Sequence, residues 1–126
     1  MQINGLDHFV LTVTDMDMSC DFYHRILGIE IIGFGDNRKA LKIGEQKINL
    51  HEADREIQPC ARQPVPGSAD MCLIAETPIP EIVEQLDIAG INIELGPVQR
   101  TGAQGAMTSV YLRDPDGNLI ELSNYY

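Results

Sequence analysis

Four polar side chains sit where ligand chemistry could be done: His8, His51, Asp70 and Glu121. Neutral imidazole and carboxylate suit borderline divalent metals such as Mn, Fe, Co, Ni or Zn. Held on rigid strands, they would leave an open coordination position for substrate. Glu121 follows Arg113-Asp114-Pro115-Asp116-Gly117, a strong turn signal in which proline presets the backbone and glycine accepts a positive φ. The run Asn118–Ser123 alternates, with Leu119, Glu121 and Ser123 on one face and Ile120 and Leu122 on the other. Such an acid is either solvated and outward or buried with a partner. The other three also have structural alternatives. His8 starts a strand, Asp70 starts another, and His51 opens a polar exit, His51-Glu52-Ala53-Asp54-Arg55. Their joint placement is what favours a site.

The elements that position them read as follows. Leu6 to Val13 alternates as a strand, and Asp15 or Asp17 can cap a helix running to about Leu27, with Gly28 ending it. Ile29–Gly33, Ala40–Ile43 and Lys47–His51 are short strands with turns at Asp36-Asn37 and Gly44-Glu45. From about residue 53 to Gly67 the chain carries Pro59, Pro64, Pro66 and little periodicity, which predicts a linker. Asp70–Ala75 is then a strand, and Thr77-Pro78 opens a helix whose stripe is Ile79, Ile82, Val83 and Leu86, closed by Gly90. Ile91–Leu95 is a strand and Gly96–Gly105 a Gly-rich loop; Met107–Leu112 and Asn118–Ser123 complete the set.

Each half is thus strand, helix and three strands, and the register supports a repeat. Leu27-Gly28-Ile29-Glu30-Ile31 matches Ala89-Gly90-Ile91-Asn92-Ile93, and the same offset carries His8-Phe9-Val10-Leu11 onto Asp70-Met71-Cys72-Leu73. His8 and Asp70 are therefore equivalent, and Glu121 corresponds to Asn49 or to His51, which share a strand face. The predicted fold class is α+β: one domain of two βαβββ modules, about 3–52 and 68–126, joined by the linker.

Two further residues have binding chemistry. Arg100, in Arg100-Thr101-Gly102, offers a planar fork for an anionic group, or lies on a solvated loop. Tyr111 either points its hydroxyl into a cavity or packs within its strand. Cys72, in an apolar strand, reads as a core thiol with nothing to mark it as a nucleophile.

Composition narrows the function. The net charge of −10, from 9 basic and 19 acidic residues, lacks the basic footprint of a nucleic-acid or acidic-membrane binder. No apolar run approaches the roughly 18 residues of a membrane span, and Met1–Gly5 has no signal-peptide pattern. Three scattered cysteines suit a reducing cytoplasm.

On Gly5-Leu6-Asp7-His8, Phe22-Tyr23 followed by Leu27-Gly28, and Asp114-Pro115-Asp116-Gly117-Asn118-Leu119-Ile120-Glu121-Leu122, the chain resembles the vicinal oxygen chelate superfamily. That superfamily includes glyoxalase I, fosfomycin-resistance thiol transferases, bleomycin-binding proteins and extradiol dioxygenases. Gln46–Glu52 and Pro64-Val65-Pro66-Gly67-Ser68 are similar to the subgroup of glyoxalase domain-containing protein 5 and small bacterial proteins, some named virulence proteins. The resemblance implies paired βαβββ modules curling into an open barrel around one divalent metal, and frequent homodimers. It implies Lewis-acid catalysis on a small vicinal-oxygen substrate. His8 and Glu121 match the first and last ligand positions. Many relatives have His in place of Asp70, and glyoxalase I has Glu in place of Asn49 or His51.

The expected function is a metal-dependent lyase, isomerase or ring-cleaving dioxygenase. His8, His51 and Glu121 are the expected ligands, with Asp70 a fourth ligand or a general base and Arg100 and Tyr111 touching substrate. The rival is a metal-free protein that sequesters a ligand, of the bleomycin-resistance type.

Overall fold

A computed structural model describes all residues, 1–126. The chain forms two compact units, Met1–Gly67 and Ser68–Tyr126. The first runs β1 (His8–Val13), α1 (Met16–Asp21), a π-helical turn (Phe22–Ile26), β2 (Glu30–Phe34), β3 (Arg38–Ile43) and β4 (Gln46–Glu52). The second runs β5 (Asp70–Ile74), α2 (Ile79–Ile88), β6 (Leu95–Gly102), β7 (Gly105–Arg113) and β8 (Leu119–Tyr125). Their sheets have the same topology, β1-β4-β3-β2 and β5-β8-β7-β6. In each, the first and last strands of the unit are parallel and the other pairings antiparallel. The fold is α+β with two βαβββ modules. No helix is long and apolar enough to cross a membrane.

One face of each sheet is the core. Leu11, Val13, Leu41, Ile48 and Leu50 are buried, and the first unit's helical segment adds Phe22 and Tyr23, stacked edge to face at 5.3 Å. In the second unit Ile79, Ile82 and Leu86 of α2 are buried, as are Met71, Val110, Leu112, Ile120 and Leu122. Burying each such side chain is worth about 1.5–3 kcal/mol. Strand alternation turns the polar candidates to the opposite faces.

Both helices end alike. Gly28 (φ 68°) and Gly90 (φ 73°) take the left-handed position, and the next residue folds back, Ile29 N–H to Tyr23 O and Ile91 N–H to Leu86 O, both at 2.9 Å. At its start α1 is capped by Asp15, whose carboxylate accepts from Met18 N–H at 3.0 Å. The expected single helix to Leu27 instead widens at Phe22 into the π-helical turn, where both adjacent aromatics are buried.

Pro78 is the residue before α2 rather than its first position, and its side chain cannot cap. Asn124 of β8 supplies the cap: its Oδ1 accepts from Ile79 N–H at 2.7 Å. Its amide donates to Ala75 O (2.9 Å) and Thr77 O (3.0 Å).

The expected Gly96–Gly105 loop is largely strand. Val98 to Gly102 pair with β7 as a hairpin closing at Gly102↔Gly105, and a register shift between Leu95 and Val98 absorbs Gly96-Pro97. Gly-rich composition here marks a bulge and a tight turn.

Candidate functional site

In the second unit the chemistry gathers on the sheet face away from α2. Asp114 Oδ1 accepts from the backbone N–H of Asp116 and Asn118, both at 2.9 Å, and its Oδ2 from Asn118 Nδ2 at 2.8 Å. Asn118 Oδ1 in turn accepts from Ala69 N–H at 2.8 Å, which ties the turn to the start of β5. This clamp sets the register that puts Glu121 beside Cys72 on one side and Tyr111 on the other.

The Glu121 carboxylate is held by one oxygen. Oε2 accepts from Ser109 Oγ at 2.7 Å and lies 3.2 Å from Ser123 Oγ; the two fully buried hydroxyls are 2.7 Å apart. Both hydroxyl contacts fall on Oε2, and the carboxylate also bears on the Cys72 thiol beside it. Cys72 Sγ, 3.3 Å from Ser123 Oγ, ends the network. Cys72 is exposed on this face and not a core thiol, because the alternation that buries Met71 turns it outward. Desolvation of the sulfur and the Glu121 charge push its thiol up, more than its hydrogen bond to Ser123 brings it down. At neutral pH it is a thiol, and a poor nucleophile.

Arg100 and Tyr111 share the same face. Arg100 Nε donates to the Tyr111 hydroxyl at 3.0 Å, with the guanidinium 5.5 Å from the ring centroid. Asp70 is exposed and pairs in register with Leu119, two positions before the Cys72–Glu121 pair.

In the first unit His8 is exposed, and its Nδ1 meets Asp7 Oδ1 at 2.7 Å. A carboxylate there holds the proton on Nδ1 and leaves the Nε2 lone pair open, the arrangement usual for a metal-binding histidine. His51 has another partner. Arg38 Nη2 stands 3.3 Å from His51 Nε2, and a guanidinium can only donate, so Nε2 accepts and Nδ1 carries the proton. Burial, then the Arg38 charge, push the His51 pKa down against the opposing pull of Glu56, which keeps the ring neutral. His51 lies four positions along the sheet from His8, because His8 pairs with Lys47 and Thr12 with His51.

The register also answers which residue matches Glu121. Val10 pairs with Asn49 as its repeat mate Cys72 pairs with Glu121, so Asn49 is the equivalent and His51 corresponds to Ser123. Within neither unit do three His, Cys, Asp or Glu side chains form a metal-ligating group. Each within its own unit, the His8 Nε2 lone pair and the Glu121 carboxylate are donors of a kind that suits a divalent cation, while the His51 Nε2 lone pair already meets Arg38.

Sequence reasoning missed Ser109, Ser123 and Arg38. Ser123 was legible as the same-face neighbour of Glu121. Ser109 and Arg38 become visible only through cross-strand register.

The chain's residues 5–122 match the family model of the Glyoxalase/Bleomycin resistance protein/Dioxygenase superfamily. Virulence protein STM3117 of Salmonella typhimurium (strain LT2) is 53% identical over 125 residues, covering 99% of this chain and 87% of that protein. Its crystal structure superposes with a TM-score of 0.97 at 52% identity, covering 100% of both chains. Glyoxalase domain-containing protein RDO1 of Mycosarcoma maydis is 49% identical over 125 residues, covering 99% of this chain and 70% of that protein. Metallothiol transferase FosB of Shouchella clausii (strain KSM-K16) is 28% identical over 123 residues, covering 95% and 80%. This protein belongs to the glyoxalase/bleomycin resistance/dioxygenase superfamily.

Proposed function

We propose that the protein is a divalent-metal-dependent enzyme acting on a small substrate with vicinal oxygens. The observation that carries this is the anchored Glu121 carboxylate. Two buried hydroxyls hold the carboxylate through Oε2, and in the first unit His8 is hydrogen-bonded through Nδ1 to Asp7, which leaves its Nε2 lone pair open. A relative named a metallothiol transferase adds support from the family side.

His8 and Glu121 are the proposed ligands, with Asp70 as a further ligand or as the general base. When bound, the metal would act as a Lewis acid on adjacent substrate oxygens. Ser109 and Ser123 keep the carboxylate from rotating. Tyr111, level with Glu121 and bonded to Arg100, presents a hydroxyl and a positive charge to the substrate. Asp70, exposed on the same face, would take a proton from a carbon or hydroxyl next to the polarised oxygens.

This donor set has one histidine with Arg38 occupying His51. It therefore favours lyase or isomerase chemistry over the ring cleavage that two histidines and a carboxylate support. The test is a substrate screen of protein reconstituted with Mn, Fe, Co, Ni or Zn, using 2-oxoaldehyde thiol adducts and catechols, with an oxygen electrode on the catechol arm. Turnover of an adduct without oxygen uptake is expected. Oxygen consumption with a catechol would move the reading to a dioxygenase. Binding without turnover under every metal would make it a sequestering protein.

A further inference from the structure

On the polar face of the first sheet, Ala40 pairs with Asn49 and the Arg38 side chain meets His51, so four neighbouring residues form one patch. Ala40, between them, is fully buried and carries no polar side-chain atom. Asn49 and His51 are only 4% and 7% exposed. Nevertheless Arg38 Nε, His51 Nδ1 and Asn49 Oδ1 are all buried without a hydrogen-bond partner. Buried polar atoms are almost always paired, so three of them on one patch offer hydrogen bonds to a bound molecule.

Their chemistry describes that ligand. Arg38 Nε–H is a donor, and His51 Nδ1–H is a donor because Arg38 already meets Nε2. Arg38 has no carboxylate within ion-pair distance, in a protein with ten more acids than bases. Phe34 fixes the guanidinium from 4.5 Å and has the Lys47 ammonium 3.6 Å from its ring centroid, adding a second positive charge nearby. Glu56, the acid whose charge reaches His51, is engaged by Asp54 N–H at 3.1 Å. A guanidinium N–H and an imidazole N–H, both donors and one of them charged, suit the oxygens of a carboxylic acid. Asn49 Oδ1 is an acceptor and wants a hydroxyl.

We infer that Arg38, Asn49 and His51 form a binding subsite for a small carboxylic acid that carries a hydroxyl beside its carboxylate. The inference rests on the proposed function only in taking that acid as part of the substrate.

The test is calorimetric titration of the full chain, stripped of metal, with glycolate, acetate, phosphate and ethylene glycol. Glycolate should bind more tightly than acetate, and both more tightly than phosphate; ethylene glycol should not bind. Arg38→Gln should weaken glycolate at least about tenfold. Asn49→Ala should erase the preference for glycolate over acetate while acetate still binds. In the wild-type protein, glycolate should shift the His51 Nδ1 resonance, a readout that needs no variant. Equal binding by wild type and Arg38→Gln, tightest binding of phosphate, or an unmoved His51 resonance would overturn the inference. If acid binding persists and depends on Arg38 in a protein that takes up no metal, the subsite stands and the metal reading fails. If glycolate binds only with metal and only through Glu121, the reverse holds.

Discussion

Cys72 lies directly opposite Glu121 across the parallel β5–β8 pair, its sulfur 3.3 Å from the Ser123 hydroxyl that also reaches the Glu121 carboxylate. Desolvation raises the Cys72 thiol first, and the Glu121 charge raises it further. Replacing Glu121 by Gln in metal-free protein removes that charge, so the thiol pKa should fall towards the ordinary value of about 8.5. Alkylation of Cys72 by iodoacetamide followed against pH, with Cys20 and Cys60 replaced by Ser, reads the shift. An unchanged profile would mean the two groups do not feel each other.

His51 gives a pH dependence of known sign. Its folded-state pKa lies below the ordinary value of about 6.5, from burial first and Arg38 second. Between the two values the unfolded chain holds more protons, so stability rises with pH across that window. The contribution is complete above about pH 6.5 and is lost as pH falls through the folded value. Urea unfolding from acid to neutral pH should show this slope in the wild type and a flatter one in His51→Gln. Identical slopes, or a His51 titration by NMR at or above its ordinary value, would refute it.

Asn124 joins α2 to β8 through three hydrogen bonds, one of them to the helix's first N–H. Asn124→Ala leaves that N–H and two carbonyls without their partner and should cost about 1–3 kcal/mol. Urea unfolding measures this. A loss below about 0.5 kcal/mol, the size expected of an ordinary surface change, would show that water replaces the clamp.

Gly96 sits at φ +115° where a Cβ would meet Ser109 O at 2.5 Å, a backbone atom that cannot step aside. Gly96→Ala should destabilise by about 1–3 kcal/mol. It should also disturb Glu121, because Ser109 is the strand residue displaced. A lowered midpoint with altered Cys72 reactivity is the expected pair of results. A variant as stable as the wild type would argue that the bulge is loose.

The sequence carried the order of the elements because helix and strand periods differ, and because glycines at equivalent places ended both helices. It put Glu121 on one strand face with Leu119 and Ser123 but left Tyr111 open between a cavity and packing within its strand, which the bond from Arg100, on a strand and not a loop, decides. What it could not carry was partnership across strands. Asn49 and His51 share a strand face, so alternation could not choose between them; the β1–β4 register does. Arg38 gave no local signal at all, yet its guanidinium decides which nitrogen of His51 is free. Cys72 looked like core from its apolar neighbours, but a single step of the pleat separates it from buried Met71.

The measurement closest to the centre of this account is metal content by elemental analysis on tag-free protein, beside His8→Ala, Glu121→Gln and His51→Gln. About one divalent ion per chain is expected, by the usual stoichiometry of a mononuclear site. It should be lost in the first two variants and kept in the third. No uptake of Mn, Fe, Co, Ni or Zn by the wild type, or full retention in Glu121→Gln, would contradict the account.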